Sequence, residues 1–265
     1  MNLPQFVGTT AGPAFAGPVL LVSDLSKSYG GPVVLRSVSF AAFSGVSLAI
    51  IGANGSGKST LLKCLIRLTD PSSGKIEMLG QSVGDMSARA LRQFRSRVGV
   101  VWQKHNLVPR LSALSNVLHG VQARMSGPRS WWQWAAPAEV RAEAMACLAR
   151  VGLANKALQR VDSLSGGQQQ RVAIARMLMQ RPELVLADEP DASLDPQSGE
   201  DVMRLLSDLA RQDGLTLIII SHRLEHTLAF SDRIIGLSGG VITLDVATSQ
   251  ADPAMLRRFF DKPTQ

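Results

Sequence analysis

The stretch Val46-Ser-Leu-Ala-Ile-Ile-Gly-Ala-Asn-Gly-Ser-Gly-Lys-Ser-Thr60 determines which fold this chain adopts. It opens with an apolar run of strand length, passes through a glycine-rich loop, and continues into a helix predicted over 58–68. The loop has the form G-x-x-x-x-G-K-[ST] and lies between a strand and a helix, as a phosphate-binding loop must. Glycines let successive backbone N–H groups turn toward phosphate oxygens, and the helix N-terminus adds a favourable field. The sequence therefore predicts that the chain binds a nucleoside triphosphate.

Two side chains of this loop have specific expected roles. Lys58 should reach the β- and γ-phosphates as a point charge, and the Ser59 hydroxyl should be a ligand of Mg²⁺. The nucleotide-binding residues predicted in this segment are Gly52, Ala53, Asn54, Gly55, Ser56, Gly57, Lys58, Ser59 and Thr60.

A second apolar strand pattern, over 183–188, ends in two acids that are followed by Pro190. Asp188 stands at the carboxyl end of the strand, where an aspartate that holds Mg²⁺ belongs in an enzyme with a phosphate loop. Glu189 comes next and is placed to polarise an attacking water as a general base. Two solvated acids at a strand end are the alternative, and the presence of the phosphate loop favours the catalytic interpretation.

Strand and helix patterns alternate along most of the chain. This alternation predicts an α/β fold with a mostly parallel core sheet that is covered on both faces. Two runs rich in β-branched and aromatic residues flank a Gly-Gly-Pro turn and predict a small antiparallel sheet, whereas about 104–180 predicts an inserted helical subdomain. The antiparallel strands are predicted over 19–29 and 33–43, further strands over 46–51, 75–80, 97–102, 183–188, 215–221, 233–237 and 241–246, a turn over 70–74, and further helices over 138–151, with Gly152 as its C-cap, and 201–212.

Composition excludes several classes of protein. The 265 residues are 45% hydrophobic and 18% charged, which is typical of a globular chain and not of a disordered one. Two cysteines, Cys64 and Cys147, are too few for a disulfide framework or a structural zinc site, and predict buried thiols in a reducing compartment. The net charge of +7 is scattered, which favours a solvated basic surface. No signal peptide or membrane span is predicted, and residues 1–18 are predicted to be a disordered N-terminal extension.

The segment Leu164-Ser-Gly-Gly-Gln-Gln-Gln-Arg171 lies between the two nucleotide motifs and precedes an apolar helix pattern. It is the signature of ATP-binding cassette (ABC) proteins, and the chain resembles that family over about residues 19–246. The resemblance implies a P-loop NTPase of ABC type that uses ATP and Mg²⁺, with one ATPase domain over 19–265. It also implies that two copies sandwich two ATP molecules head to tail. Ser165, Gly167 and Gln168 of one copy would face the γ-phosphate held by the other, as a second anion site at a helix N-terminus.

Other positions match the family pattern residue by residue. Tyr29 matches the aromatic residue that stacks on adenine, and a core tyrosine is the alternative. Gln103 matches the glutamine that contacts Mg²⁺ and the attacking water, and an exposed loop glutamine is the alternative. Asp195 matches the loop that crosses the dimer interface, and His222 matches the histidine that contacts the γ-phosphate. The implied catalytic residues are Glu189, His222, Gln103 and Lys58, the implied metal ligands are Ser59, Gln103 and Asp188, and His105, His119 and His226 are predicted to be structural.

Two further segments, 106–120 and 232–237, resemble the ATP-binding subunit of phosphonate importers. Asp191 departs from that subfamily, whose members are mostly apolar there, and 221–225 is similar to cassettes in general. Phosphite or another phosphorus oxyanion therefore stays open as the substrate. The tryptophan-rich segment Trp131–Trp134 is interpreted either as an exposed patch that contacts a membrane subunit or as core beneath the helical insertion.

The resemblance implies the ATP-hydrolysing subunit of an importer for phosphonates or related phosphorus oxyanions. A single cassette without a membrane span should work with permease subunits, and indirectly with a periplasmic or extracellular substrate-binding protein, at the cytoplasmic face of the inner membrane. The alternatives are an exporter or lipid-extracting ATPase, and a nucleic-acid-handling cassette that uses the basic surface. The chain lacks the tandem cassettes, long coiled coils and zinc-binding cysteine pairs usual in the last class, so no nucleic-acid partner is expected.

Overall fold

The computed structural model describes residues 17–125 and 135–260, which form an α/β fold with two sheets. The segment Trp131–Trp134 and residues 1–16 of the predicted extension lie outside the described residues. The strands are β1 Pro18–Ser28, β2 Val33–Phe43, β3 Ser47–Ile51, β4 Ser73–Met78, β5 Gln81–Ser82, β6 Val98–Val101, β7 Leu184–Asp188, β8 Thr216–Ile220, β9 Arg233–Ser238 and β10 Val241–Ala247. The helices are α1 Lys58–Leu65, α2 Ala88–Ser96, α3 Ala113–Leu118, α4 Ala138–Arg150, α5 Gly166–Met179, α6 Pro196–Gln212, α7 Leu224–Phe230 and α8 Pro253–Phe260.

The larger sheet has six strands in the order β10-β9-β3-β8-β7-β6. All neighbours are parallel except β9 and β10, which confirms the predicted mostly parallel core sheet. Along β7, Leu184 and Leu186 pack into one apolar cluster and Val185 and Ala187 into another. Alternate residues of a strand point to opposite faces, so a strand covered on both faces is apolar throughout. This double burial explains the unbroken apolar run in the sequence.

The carboxyl ends of the five parallel strands, β9, β3, β8, β7 and β6, lie at one edge of this sheet. β3 pairs with β8, and β8 pairs with β7, so that Ile50 and Asp188 both align with Ile220. The segments that leave this edge are the glycine-rich loop after β3, the acidic loop after β7 and the histidine-containing segment after β8. In parallel α/β sheets this edge is where ligands bind.

The smaller sheet is antiparallel, with the order β2-β1-β4-β5. It confirms the predicted pairing of β1 with β2 and adds β4 and β5. Both cysteines are buried, as predicted. Burial raises the pKa of Cys64 and of Cys147 to about 11, which keeps both thiols protonated at neutral pH.

The described part of 104–180 contains α3, α4 and α5, together with short 3₁₀ turns. Within that part, the only β pairing is an isolated bridge between Ser112 and Arg160. Gly120 lies so close to α5 that a Cβ atom there would come within 2.2 Å of the Arg176 carbonyl oxygen. Across all the described helices, none has the length and apolar character needed to cross a bilayer.

Several predicted boundaries differ from the structure. β1 begins at Pro18, inside the predicted extension, and β4 begins at Ser73, within the predicted turn. Helix α6 begins at Pro196, five residues before the predicted start, because Asp195 caps it and proline suits the first helical turn.

Helix α1 ends at Leu65 and not at the predicted Leu68. Arg67 has a φ of 51°, its N–H donates to the Cys64 carbonyl at 2.9 Å, and the Leu68 N–H donates to the Lys63 carbonyl at 2.8 Å. These are the two bonds of a Schellman ending. The residue in the left-handed conformation is arginine instead of glycine, so the sequence carried no stop signal there.

Candidate nucleotide-binding and hydrolysis site

The phosphate loop, residues 52–57, joins β3 to the first turn of α1. Two of its glycines are required by the geometry. Gly52 has a φ of 154°, and a Cβ atom on it would lie 2.2 Å from the Leu237 carbonyl oxygen. Gly57 has a φ of 105°, and a Cβ atom on it would lie 2.8 Å from the Leu35 side chain. The other predicted residues of the segment are also in place: Ala53, Asn54, Gly55 and Ser56 in the loop, and Ser59 and Thr60 in the first turn of α1.

The Lys58 ammonium lies at the centre of this loop. Its Nζ donates hydrogen bonds to the carbonyl oxygens of Gly52, at 2.8 Å, and Ala53, at 3.1 Å. The side chain is 4% exposed and lies 4.0 Å from Glu189 Oε1. Burial lowers the pKa of Lys58, and the charges of Glu189 and Asp188 oppose that shift. The loop therefore holds a cation that faces the acids at the end of β7.

The side chains of Asp188 and Ser59 contact each other near Lys58. The Ser59 hydroxyl donates to Asp188 Oδ1 at 3.3 Å. Burial, with a smaller contribution from the Glu189 charge, raises the pKa of Asp188, and the bond from Ser59 opposes the shift. A hydroxyl and a carboxylate are the oxygen ligands that Mg²⁺ prefers, so this pair has suitable chemistry for that ion.

Glu189 and His222, from the ends of β7 and β8, form an ion pair. His222 Nδ1 lies 3.6 Å from Glu189 Oε2, which is beyond hydrogen-bond length. The imidazole lowers the pKa of Glu189, and the carboxylate raises the pKa of His222. Glu189 also has a φ of 47°, and its N–H donates to the Ile220 carbonyl at 3.0 Å.

Gln103 and Tyr29 stand apart from these groups. Gln103 follows β6, which pairs with β7, and its exposed side chain makes no hydrogen bond to the other described residues. Tyr29 is 60% exposed, so it is not the core tyrosine of the alternative interpretation. Its ring lies at the turn between β1 and β2, with Lys27 Nζ 4.7 Å from the ring centroid.

The signature segment forms a second, separate site. Ser165 caps α5, with its Oγ accepting from the Gln168 N–H at 3.4 Å, while Gln168 Oε1 accepts from the Ser165 N–H at 3.2 Å. This capping box holds the first turn of α5 in place. A polar pocket of about 310 Å³ opens beside it, and none of its lining residues belongs to the phosphate loop. The pocket is lined by Gly152, Leu153, Asn155, Lys156, Ser165, Gly167, Gln168, Arg171 and Ser198.

The segments that carry Asp195 and the signature lie side by side. Asp195 Oδ1 accepts from the Ser198 N–H at 3.0 Å, and a Cβ atom on Gly167 would lie 3.2 Å from Ser198 Cβ. The bonds from Ser198 lower the pKa of Asp195. The N-termini of α5 and α6 therefore form one continuous surface.

Sequence reasoning missed two groups of residues. Lys156 and Arg171 are the cations of the signature pocket. Arg171 could have been found, since it lies three residues after Gln168 on the same helical face. The second group is Asp191 with His226, whose Nδ1 lies 2.7 Å from Asp191 Oδ2. Only knowledge of how the turn after β7 packs against helix α7, which is distant in sequence, could have paired them.

Known proteins resemble the chain over most of its length. The family model described as "ABC transporter" matches residues 35–192. The "Phosphite import ATP-binding protein PxtA" of Stutzerimonas stutzeri is 46% identical, over 91% of this chain and 87% of that protein. The "Phosphonates import ATP-binding protein PhnC" of Frankia casuarinae is 45% identical, over 86% of this chain and 90% of that protein.

A solved structure resembles the fold. The "Dimeric structure of a post-hydrolysis state of the ATP-binding cassette MJ0796 bound to ADP and Pi" has a TM-score of 0.76 and 32% identity, covering 86% of this chain and 98% of that one. The phosphate loop, the acids after β7 and the signature pocket thus occur in a chain with close relatives among cassettes. The chain belongs to the ATP-binding cassette proteins of the ABC transporter family.

Proposed function

We propose that the chain is the ATP-hydrolysing subunit of an importer for phosphonates or related phosphorus oxyanions. Two similar relatives are named for the import of phosphite and of phosphonates. The observation that carries the hydrolytic part is the meeting of Lys58 with Glu189, and of Ser59 with Asp188, at one edge of the sheet. This arrangement joins a phosphate-binding cation, a pair of metal-ligand oxygens and a base.

Lys58 and the backbone of residues 52–57 bind the phosphates of ATP. The Lys58 ammonium neutralises charge on the β- and γ-phosphates, and the N–H groups at the start of α1 donate to phosphate oxygens. Ser59, Asp188 and Gln103 would hold Mg²⁺, which would neutralise phosphate charge. Tyr29 stacks on the adenine, for which its 60% exposure leaves the ring face accessible.

Glu189 orients and polarises the attacking water. Because its pKa is lowered by His222 and Lys58, its carboxylate is ionised throughout the neutral range. It therefore contributes mainly by accepting a hydrogen bond from the water and directing it in line with the γ-phosphate. His222, whose pKa is raised by the same carboxylate, supplies an N–H donor to the γ-phosphate, and this donor carries a positive charge whenever the ring is protonated.

The active unit is a homodimer in which the signature pocket of one copy closes over the nucleotide of the other. Two observations support this. The pocket is lined by cations and helix N–H groups but by no acid, which suits a polyanion. It is also separate from the phosphate loop, so one chain cannot apply both surfaces to one γ-phosphate. Asp195, beside this pocket, crosses to the partner copy.

A separate permease completes the transporter at the cytoplasmic face of the inner membrane, with a substrate-binding protein on the other side. A cleft of about 410 Å³ lies where α2 and β6 meet α5, and Trp102, Arg95 and Arg176 are among its lining residues. It adjoins Gln103 and spans the junction of the core with the helical region. A permease segment bound in this cleft would contact both the core and the helical region. It would therefore be moved when these two parts rotate against each other as the dimer closes.

Growth of the source cells on a phosphonate as sole phosphorus source tests this function. Cells with chromosomal Glu189→Gln should lose growth on the phosphonate and keep growth on phosphate. A parallel culture on phosphite separates the two candidate oxyanions. Unchanged growth on both, with no second importer active, would contradict the proposed transport function.

A further inference from the structure

A second acid–histidine pair lies in the same two segments as the pair proposed for hydrolysis. Glu189 and Asp191 are two residues apart after β7, and His222 and His226 are four residues apart after β8. Each acid pairs with one histidine, Glu189 with His222 at 3.6 Å and Asp191 with His226 at 2.7 Å. The first pair faces the phosphate loop through Lys58, whereas the second is buried. Such a duplicated arrangement suggests that the buried pair serves the exposed one.

Burial prevents the second pair from contacting the nucleotide. The Asp191 side chain is 0% exposed and the His226 side chain 10% exposed. Burial raises the pKa of Asp191, but the bond with His226 and the charge of Arg223 outweigh it and lower the pKa overall. The buried group is therefore a carboxylate at neutral pH. A charge in such a position needs its partners, because an unpaired buried carboxylate strongly destabilises a fold.

Arg223 connects this buried pair to the groups on the surface. Its Nε lies 3.4 Å from Asp191 Oδ2, and it directly follows His222 in the chain. Its Nη2 donates to the Leu194 carbonyl oxygen at 3.4 Å. A Cβ atom on Gly199 would lie 3.1 Å from Arg223 Nη1, so the guanidinium lies against the first turns of α6. Asp191, Arg223 and His226 thus connect the loop after β7, the segment after β8 and helix α7.

Glu189 needs such a support. Its φ of 47° is unusual for a residue other than glycine, and its backbone is held by the bond to the Ile220 carbonyl and by the Ala192 N–H, which donates to the Glu189 carbonyl at 3.1 Å. Uncommon backbone conformations persist only where the surroundings over-determine them. Asp191 lies within this short turn, between Glu189 and Ala192. Side-chain contacts that fix Asp191 therefore also restrain the backbone of Glu189.

We propose that Asp191, His226 and Arg223 are positioning residues, which fix Glu189 relative to His222 across the two loops. This inference rests on the function proposed above for Glu189 and His222. A shift of about 1 Å in a reacting group can cost on the order of 10²-fold in rate, so small movements of the turn suffice.

ATP hydrolysis by the purified full-length chain tests the proposal. Asp191→Ala should lower kcat by about 10- to 100-fold while KM for ATP stays within about threefold, because Lys58 and its loop are unchanged. In a Glu189→Gln background, Asp191→Ala should have no further effect on kcat, since it acts through Glu189. Glu143→Ala is the matched control. It removes a partly buried carboxylate paired with Arg124 and Arg181, away from the site, and should leave kcat unchanged.

A double variant separates positioning from simple stability. Asp191→Leu with His226→Leu replaces the buried pair by apolar side chains, which commonly restores stability. We expect its Tm to recover toward that of the wild type while kcat stays low, because Arg223 has lost its carboxylate anchor. Recovery of kcat together with Tm, or an unchanged kcat in Asp191→Ala, would overturn the inference. A wild-type chain without hydrolysis, or a fully active Glu189→Gln, would instead overturn the proposed function and this inference with it.

Discussion

The phosphate loop and the signature segment are both glycine-containing N-termini of helices, yet their surroundings are opposite. The phosphate loop lies against carboxylates of its own chain, and its cation, Lys58, is 4% exposed. The signature segment opens into a polar pocket that contains Lys156 and Arg171 and no acid. The first site thus offers the carboxylates for the proposed metal ion and base, whereas the lining of the second offers cations and helix N–H groups.

This difference assigns different tasks to the two regions. A site that holds Mg²⁺ and directs water must carry carboxylates, whereas a site that completes the charge balance around a γ-phosphate must exclude them. Both regions carry cations and helix N–H groups, but carboxylates line only the first. This contrast supports a reaction centre divided between two copies of the chain. A substitution in either the phosphate-loop region or the signature region should therefore impair hydrolysis.

Glu189→Gln removes the base from the first region. We expect kcat for ATP hydrolysis to fall roughly 10²–10⁴-fold, because the neutral amide polarises the attacking water far less than the carboxylate and cannot take up its proton. The Kd for ATP should change little, since Lys58 and the loop backbone are intact. Steady-state hydrolysis and equilibrium binding of a fluorescent ATP analogue measure the two quantities. Near-normal hydrolysis would show that this acid is not the base.

Ser165→Glu places an acid in the second region. The carboxylate would repel the γ-phosphate of the partner copy, and we expect hydrolysis to fall about 10²-fold with ATP binding retained. Ser163→Glu, an exposed position at the same end of the helical region, is the control and should be nearly silent. A parallel loss of ATP binding in Ser165→Glu would mean that the signature acts within its own chain.

Removal of the cations of the second region should have a smaller effect. Lys156→Gln and Arg171→Gln each take one positive charge from the signature pocket, and we expect the rate at limiting ATP to fall about 3- to 10-fold. Arg150→Gln removes a cation whose partner is Asp213, outside the pocket, and serves as the control. Equal rates for all three variants would contradict the role of pocket charge.

The Glu189–His222 pair should make stability depend on pH. Because the pKa of His222 is raised above 6.5 in the folded state, its contribution is fully present below pH 6.5 and is lost as pH rises through the raised value. The pKa of Glu189 is lowered below 4.5, so its contribution is present above pH 4.5 and is lost as pH falls through the lowered value. The free energy of unfolding of the wild type should therefore exceed that of His222→Gln by more near pH 6 than near pH 9. Urea unfolding at both values measures this, and an equal difference at both would contradict the pairing.

Much of this fold could be predicted because its signals are local. The loop 52–57 contains glycines where the backbone needs them, and β7 is apolar up to its last residue, Asp188, because both of its faces are covered. The end of α1 could not be predicted, since Arg67 takes the conformation that usually marks glycine. The start of α6 was predicted too late, because apolar periodicity alone does not register the cap residue Asp195 and the first-turn Pro196 that begin the helix.

The candidate site was predictable to a similar degree and for the same reason. Sequence motifs identified Lys58, Asp188 and Glu189 as neighbours because all three stand beside strands that end at one edge of the sheet. The buried bond between Asp191 and His226 was not foreseen, since 35 residues separate them and neither lies in a motif. Pairings of that kind depend on how α7 packs against α6 and β3, which no local pattern encodes.

The association state of Glu189→Gln with and without ATP tests the divided reaction centre most directly. Light scattering should give the mass of one chain without nucleotide and of two chains with saturating ATP, because bound ATP joins the two halves and is not hydrolysed. Adding Ser165→Glu to this variant should abolish the dimer while ATP still binds. A single-chain mass with saturating ATP, or a dimer that ignores both ATP and Ser165→Glu, would contradict the account.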